Sequence, residues 1–264
     1  MKKVGIFFLF LFGLSLHNYA QVDSLKLNGS YLKHYYTDAR DMVISPIKWQ
    51  GRDWAKFGLV AGATTALLFL DEPIRDFVQD NHNEKIGGFS HGFLDPLGSQ
   101  YSLGLAASFY LGGLVFKKPR AQSTGLMAIE SYLISGYFVM IPKELFGRTR
   151  PEAWNVEGSF DFRGPGNGHS FPSGHTISAF SVATIFAIQY KDTGWVPYVS
   201  YGMAGLAGLS RIYDNKHWAS DVFIGAALGI AIGKLIYKAH EKNQISFVPC
   251  IQNGVVGVHL SLKL

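Results

Sequence analysis

Apolar residues are concentrated in six stretches of the chain, and polar segments separate them. The stretches cover residues 54–70, 99–116, 124–142, 175–190, 196–212 and 221–237. Each is apolar on nearly all sides of a helix and rich in Gly, Ala and Ser, which lets helices approach closely. The pattern predicts an all-α fold, a six-helix bundle. The lengths of the stretches and their many small residues favour a bundle embedded in the membrane. The alternative is a soluble bundle with wholly buried helices.

The two ends of the chain depart from this pattern. Residues 1–20 carry two lysines, a short apolar run and a small final residue, which is typical of a secretory signal peptide that is removed. Residues 21–50 are polar and aromatic without a period, and we expect an exposed N-terminal arm, either irregular or with a short helix. The helical domain is predicted at 51–242, with its motif-bearing core at 124–240. In 243–264 an Asn-Gly pair separates two β-branched runs, which predicts a short C-terminal β-hairpin.

Composition favours an exported, membrane-associated protein. Only 16% of the 264 residues are charged, against roughly 25% in an average soluble domain. The net charge is +5, and without a nucleic-acid module it favours anionic lipid surfaces or phosphorylated substrates over nucleic acid. The single cysteine, Cys250, can form neither an internal disulfide nor a cysteine-based metal site.

The loops give conflicting signals about topology. Basic loops are usually cytoplasmic, so the basic segment 117–120 predicts a cytoplasmic loop between the second and third stretches. The third stretch would then cross outward and place residues 143–151 on the outer side. That arrangement requires residues 54–70 not to cross fully, because six crossings would place the same segment inside. We expect the site to face the periplasm. A soluble periplasmic chain would remove the conflict.

The first polar island is KELFGRTRP, at 143–151. Lys143 and Arg150 are seven residues apart, which is two helical turns, so both can point to one side. Two cations at a helix end can bind an anion, and they can equally serve as interfacial anchors.

The second island, at 164–180, is a Gly-rich loop followed by Pro-Ser-Gly-His and an apolar helix. The free N–H groups at such a helix start can bind an anion. Ser173 can cap the helix or donate to a phosphate oxygen, Gly174 lets the backbone come close, and His175 can protonate a leaving oxygen. The alternative is an ordinary N-cap with an incidental histidine.

The third island is SRIYDNKHWASD, at 210–221. Arg211 ends one apolar stretch, and His217 and Asp221 lie one helical turn apart at the start of the next. The carboxylate can hold the imidazole in one tautomer. Anchoring by Arg211 and a helix-dipole role for Asp221 are the alternatives.

Together the islands supply three cations, two neutral donors and two histidines, a set that suits a tetrahedral oxyanion. In a phosphate ester, His217 would attack phosphorus with Asp221 orienting it, and a phosphohistidine would form. His175 would protonate the leaving alkoxide. The cations neutralise the phosphate and the sequence has no Asp/Glu cluster suited to Mg²⁺ or Ca²⁺, so we expect no metal and no cofactor.

The islands resemble the tripartite signature of the type 2 phosphatidic acid phosphatase and haloperoxidase superfamily. They match Lys-x6-Arg-Pro, Pro-Ser-Gly-His and Ser-Arg-x5-His-x3-Asp at every position. The resemblance implies a helical core with the motifs gathered at one end. It implies phosphate binding by Lys143, Arg150, Ser173, Gly174 and Arg211, and catalysis by His175 as acid, His217 as nucleophile and Asp221 as its orienting partner.

The sequence therefore predicts an envelope enzyme that removes phosphate or pyrophosphate from a membrane lipid such as phosphatidate, phosphatidylglycerophosphate, polyprenyl diphosphate or lipid A. A soluble exported acid phosphatase of the same superfamily is the main alternative. A vanadate-dependent haloperoxidase is disfavoured by the compact length and apolar helices. A non-enzymatic membrane scaffold is disfavoured because the motifs are intact. Nothing in the sequence indicates an oligomeric state.

Three polar features lie outside the signature. Arg148 is not a motif position, and we expect a surface or headgroup contact. Residues 71–85 are expected to form a polar loop or a short surface helix. Glu130 lies inside an apolar stretch, which indicates either a functional group in lipid or a packed, hydrogen-bonded side chain.

Overall fold

The computed structural model describes residues 25, 27–242, 245–252 and 255–262. The predicted signal peptide, residues 1–20, lies outside this part. Helices dominate the described chain, and the helical class is confirmed. The α-helices are α1 (Gly29–Ile44), α2 (Gly51–Leu68), α3 (Asp71–Asp80), α4 (Glu84–Phe89), α5 (Gln100–Val115), α6 (Pro119–Phe138), α7 (Met140–Phe146), α8 (Gly174–Gln189), α9 (Val196–Tyr213) and α10 (Ala219–Lys242).

Shorter elements complete the described chain. One-turn 3₁₀ or π segments occur at Ser45–Lys48, Ser90–Leu94 and Asp95–Gly98. Near the C-terminus, strands β1 (Ile245–Gln252) and β2 (Val255–Leu262) pair antiparallel. The Asn-Gly pair between them lies outside the described residues. Each of the six apolar stretches falls on long helices of the list above, the third one on α6 and the start of α7.

Glycines bring α8 and α10 into backbone contact. A β-carbon at Gly225, Gly229 or Gly233 of α10 would lie 2.9, 2.5 and 2.7 Å from carbonyl oxygens of the facing chain. Those carbonyls belong to residues 173, 177 and 181, one helical turn apart. Small residues at this spacing let two helix backbones approach closely. The start of α8 is therefore held beside the start of α10, where two of the three islands lie.

This close approach makes Gly229 sensitive to a single added methyl group. We expect Gly229→Ala to lower the Tm by roughly 3–10 °C, because the new β-carbon overpacks the helix interface. Gly202→Ala on α9 is the matched control, since a β-carbon there would meet nothing within 4 Å. Thermal unfolding of both variants in detergent tests the expectation, and an equal Tm for the two would contradict it.

The N-terminal arm is more buried than the sequence indicates. Tyr31 and Met42 of α1 are buried, and Tyr35 and Ala39 pack against the same core. These four positions follow each other at intervals of three or four residues, which places them on one face of a helix. The arm thus covers the bundle with an apolar stripe.

Two described helical segments are long and apolar enough to cross a bilayer, namely Pro119–Phe146 with 28 residues and Ala219–Glu241 with 23. Gly51–Leu68 and Asp71–Asp80 together would make a third, bent by 54° at the break between them. The three signature islands lie at ends of these and neighbouring helices: after α7, before α8, and between α9 and α10.

Candidate active site

The first island begins on α7 and leaves it through a left-handed glycine. Gly147 ends the helix with φ 55°, and a β-carbon there would lie 1.7 Å from the Gly164 carbonyl oxygen, so only glycine fits. Lys143 lies one turn before this end. Its Nζ is 3.8 Å from the position that a β-carbon on Gly174 would occupy. The lysine of the first island thus reaches the glycine of the second.

The second island forms the N-terminus of α8. Ser173 is fully buried, and its N–H donates to the Asp221 carbonyl at 3.0 Å. Its hydroxyl makes no capping hydrogen bond but accepts one from Thr176 at 2.9 Å. The Ser173 proton therefore stays available to an incoming oxygen, which favours the phosphate-donor interpretation over the capping one.

The third island is held by a tight turn after α9. The N–H groups of Lys216 and His217 both donate to the Arg211 carbonyl, at 2.9 and 3.1 Å. Asn215 adopts a left-handed φ of 55°, a conformation that asparagine tolerates. The turn brings the His217 ring to the start of α10, with Nδ1 3.5 Å from Asp221 Oδ2.

Asp221 is fixed from several sides. Its Oδ2 accepts hydrogen bonds from the Ser170 hydroxyl at 2.5 Å and from the Trp218 N–H at 3.0 Å. Its Oδ1 accepts one from Arg148 Nη1 at 2.5 Å. Burying a charge is costly even when it is paired, so these contacts are needed to keep the carboxylate ionised, and they hold it in one orientation towards His217.

Burial sets the charge of His217. The side chain is only 2% exposed. Burial lowers the pKa of His217, Asp221 opposes that change, and Lys143 and Arg150 reinforce it. The net effect is a neutral ring at pH 7. A neutral imidazole whose Nδ1 faces a carboxylate keeps a lone pair on Nε2, which is the state a nucleophile requires.

Arg148 corrects one sequence-based expectation. It is fully buried rather than at the surface, and it pairs with Asp71 at 2.7 Å as well as with Asp221. Its guanidinium also lies over the Trp218 ring, 5.3 Å from the centroid. The reason is charge: two buried carboxylates need a cation between them, and a planar guanidinium can serve both.

Residues 71–85 form α3 and the start of α4, mostly exposed, so the short surface helix of the two expectations is confirmed. Asp71 is the exception, because at the start of α3 it is 1% exposed. Its Oδ1 accepts the Ser220 N–H at 2.8 Å, which satisfies a free amide at the start of α10. Asp71 therefore joins the signature region through Arg148 and Ser220.

Asp95 is a further residue at the site that sequence reasoning missed. It lies in the Asp95–Gly98 turn, forms an ion pair with Arg211, and places Oδ1 3.3 Å from His175 Nε2. Gly98 allows the turn to sit this close, because a β-carbon there would be 2.9 Å from the His175 Cβ. Asp95 thus aligns the second histidine much as Asp221 aligns the first.

The structure brings the sequence-predicted residues together. His175 lies within electrostatic range of Arg211, His217 and Lys143, and His217 within range of Lys143 and Arg150. Arg150 is 37% exposed and pairs loosely with Glu152 at 3.6 Å. The His175 side chain is exposed to the same extent, so these two residues form the open side of the cluster, while the buried His217 forms its floor.

The proton-donor role of His175 can be tested separately from the role of His217. We expect His175→Ala to slow hydrolysis of an alkyl phosphate by about 10²–10⁴-fold, because the alkoxide then leaves without a proton. Hydrolysis of p-nitrophenyl phosphate should fall far less, since nitrophenolate is a good leaving group. Rates on both esters, measured side by side, test this. Equal losses on the two would contradict a proton-donor role.

Comparisons with known proteins agree with this geometry. Residues 124–245 match the family model of the PAP2 superfamily. A lipid A 1-phosphatase of Porphyromonas gingivalis is 39% identical over 124 residues, which are 46% of this chain and 25% of that protein. A lipid A 1-phosphatase of Rhizobium etli is 26% identical over 204 residues, covering 70% of this chain and 82% of that protein.

A solved structure is similar as well. It is a transmembrane PAP2-type phosphatidylglycerolphosphate phosphatase from Bacillus subtilis, with a TM-score of 0.57 and 25% identity, covering 72% of this chain and 94% of that one. The chain thus spans a quarter of the P. gingivalis protein but most of the other two. The resemblance inferred from the three islands is confirmed. Over residues 124–245, the chain is similar to the PAP2 superfamily, the family that the three islands indicate.

Proposed function

We propose that this protein hydrolyses a phosphate or pyrophosphate group from a membrane lipid through a phosphohistidine on His217. The observation that carries the proposal is the buried, neutral His217, backed by Asp221 and placed near the cationic side chains of Lys143 and Arg150. An imidazole in this state is a nucleophile, and cations around it stabilise the charge of a phosphoryl group in transfer.

In the first step, His217 Nε2 forms a bond to phosphorus, and the bond between phosphorus and the lipid oxygen breaks. Lys143, Arg150 and Arg211 hold the non-bridging oxygens, and the Ser173 hydroxyl and the Gly174 amide donate to them. His175, aligned by Asp95, gives its proton to the leaving oxygen. The lipid departs as an alcohol or as a lipid monophosphate.

In the second step, a water molecule attacks the phosphohistidine. His175 now takes a proton from that water, the bond between phosphorus and His217 breaks, and inorganic phosphate leaves. Asp221 stabilises the positive charge that the His217 ring carries while phosphorylated. The side chains account for every proton and charge in the cycle, so the proposed chemistry involves no metal or cofactor.

An apolar cavity supports a lipid substrate. It measures about 450 Å³ and is lined by side chains such as Leu97, Ala179, Phe186 and Met203. Leu97 follows Asp95 in the same turn, and Ala179 is one helical turn beyond His175. The lining residues nearest the site thus lie about one helical turn from His175, although the reacting side chains themselves do not line the cavity. Its size and its lining suit a hydrocarbon chain attached to the phosphate.

We also propose that the protein is exported and embedded in the membrane as a bundle of the six long apolar helices, with its site facing the periplasm. The outward faces support embedding, because large apolar side chains are exposed there, including Leu59 at 75%, Val115 at 73% and Tyr198 at 80%. The curated relatives and the similar B. subtilis protein are named as lipid or transmembrane phosphatases. The expected chain organisation, with a signal segment before the arm, belongs to this proposal.

A substrate panel tests the function. We expect the purified protein in detergent to release phosphate from lipid phosphates, lipid A and polyprenyl diphosphate among them, with kcat/KM at least tenfold above that for water-soluble phosphomonoesters. Equal or higher efficiency on the soluble esters would support the acid-phosphatase alternative. Full recovery of the protein in the aqueous fraction after a carbonate wash would rule out the proposal that the protein is embedded in the membrane.

A further inference from the structure

Three ionisable side chains that no step of the proposed reaction uses meet inside the bundle. Asp38 of α1, Glu130 of α6 and His240 of α10 place their ligand atoms within 4.8 Å of one another. His240 Nε2 lies 2.7 Å from Glu130 Oε2 and 3.7 Å from Asp38 Oδ2. They are separated widely in the sequence, so only the fold brings them together.

The cluster is buried, and its carboxylates are under-satisfied. The Glu130 side chain is fully buried, that of His240 is 3% exposed and that of Asp38 is 11% exposed. Glu130 Oε1 and Asp38 Oδ2 are enclosed and accept no hydrogen bond. In the described part of the chain, neither carboxylate forms an ion pair with a lysine or arginine. Burying two acceptor groups this way is costly unless a cation joins them.

Other contacts hold the cluster in one arrangement. The Tyr31 hydroxyl donates a hydrogen bond to Glu130 Oε2, and the Tyr31 ring stacks on His240 at 5.3 Å with an interplanar angle of 9°. Burial, and after it the neighbouring Glu130, raises the pKa of Asp38 to about 6, while His240 opposes this change. Outer contacts of this kind orient the ligands of metal sites.

We propose that Asp38, Glu130 and His240 bind a divalent transition-metal ion, zinc being the best match, which joins α1 to α6 and α10. An imidazole with two carboxylates suits zinc or manganese better than magnesium or calcium. Tetrahedral ligands about 2.1 Å from zinc lie about 3.4 Å apart. The observed separations of 2.7 and 3.7 Å therefore need shifts well under 1 Å. The unpartnered Glu130 Oε1 or a water molecule can complete the coordination.

The metal would be structural and remote from the reaction. His240 lies nineteen residues after Asp221 on the same helix, a distance of about 30 Å at the rise of an α-helix. The role that fits is fastening the N-terminal arm, since each of the three ligands comes from a different helix. Metal binding should thus change the stability of the protein and leave the rate of its reaction alone.

Zinc titration of the full-length protein tests the proposal. Protein in detergent is stripped with EDTA, incubated with a slight excess of ZnCl₂, desalted, and measured for bound zinc by mass spectrometry and for Tm. We expect about one zinc per chain, a rise in Tm of several degrees, and an unchanged kcat. A parallel titration with MnCl₂ establishes the preferred ion.

Three variants assign the site. Glu130→Gln and Asp38→Asn should lose the bound zinc and the rise in Tm, whereas Glu241→Gln, an exposed neighbour of His240, should keep both. Asp38 is at the edge of the cluster, so its variant stays informative if Glu130→Gln does not fold. If the stripped wild-type protein takes up neither zinc nor manganese, the proposal is overturned. The three side chains would then form a hydrogen-bonded network that shares protons. Equal zinc in wild type and Asp38→Asn would overturn the proposal too.

Discussion

Replacing His217 with alanine will reduce phosphate release by more than about a thousandfold, because the phosphoryl group then has no acceptor. Wild-type protein mixed with ³²P-labelled substrate and quenched in alkali should carry a labelled, acid-labile phosphoprotein, as expected for a bond between nitrogen and phosphorus. The His217→Ala protein should carry none. Its folding is checked by Tm, which should fall moderately without loss of the folded state, because removing a buried side chain leaves a cavity.

His169→Ala is the matched control for this experiment. His169 lies in the loop before α8, where its side chain is 49% exposed and faces Glu144. This variant should retain both turnover and labelling. A His217→Ala protein with more than about a hundredth of the wild-type rate would rule out the nucleophile assignment. Labelling of the variant at another residue would do the same.

Replacing Arg148 with alanine will have the largest effect on stability. The change leaves Asp71 and Asp221 buried without their shared cation. Removing one partner from a buried ion pair costs about 3–5 kcal/mol, and for a chain of this size that corresponds to a fall in Tm of roughly 10 °C. Activity should fall as well, since Asp221 loses one of the contacts that hold it towards His217.

The test compares Arg148→Ala with Arg163→Ala. Arg163 lies in the same loop and pairs with Asp161 at 2.7 Å, but its side chain is 29% exposed. A pair whose arginine is partly exposed contributes less than a fully buried one, so this control should lower the Tm much less than Arg148→Ala does. Similar Tm values for the two variants would mean that the buried arginine is not the link between the two carboxylates.

The islands could be predicted from the sequence because each is a local pattern. The Lys143–Arg150 spacing, the helix start at Ser173 and the interval between His217 and Asp221 are properties of consecutive residues. The apolar stretches likewise predicted where the long helices lie. Helix faces and caps depend on residues a few positions apart in the chain, so they can be recognised from the sequence alone.

The supporting residues could not be found in that way. These supporting residues are Asp71, Asp95 and Arg148. Their partners at the site lie between 73 and 149 residues away in the sequence. Nothing near Asp95 distinguishes it from an ordinary turn aspartate. Arg148 resembles a surface cation because no signature position includes it. Their roles follow from which helices pack together, and that is decided by the glycine contacts between α8 and α10 and by the bend after α2.

The bend after α2 determines where the protein could be truncated without losing part of the site. The segment that carries the whole signature starts at residue 124, yet Asp71 and Asp95 precede it and reach its catalytic core from the break after α2 and from the turn before α5. A piece excised at residue 124 would keep every signature position, leave Arg148 with half of its countercharge and deprive His175 of its carboxylate. The region that matches the family model is therefore shorter than the unit that holds the proposed site together.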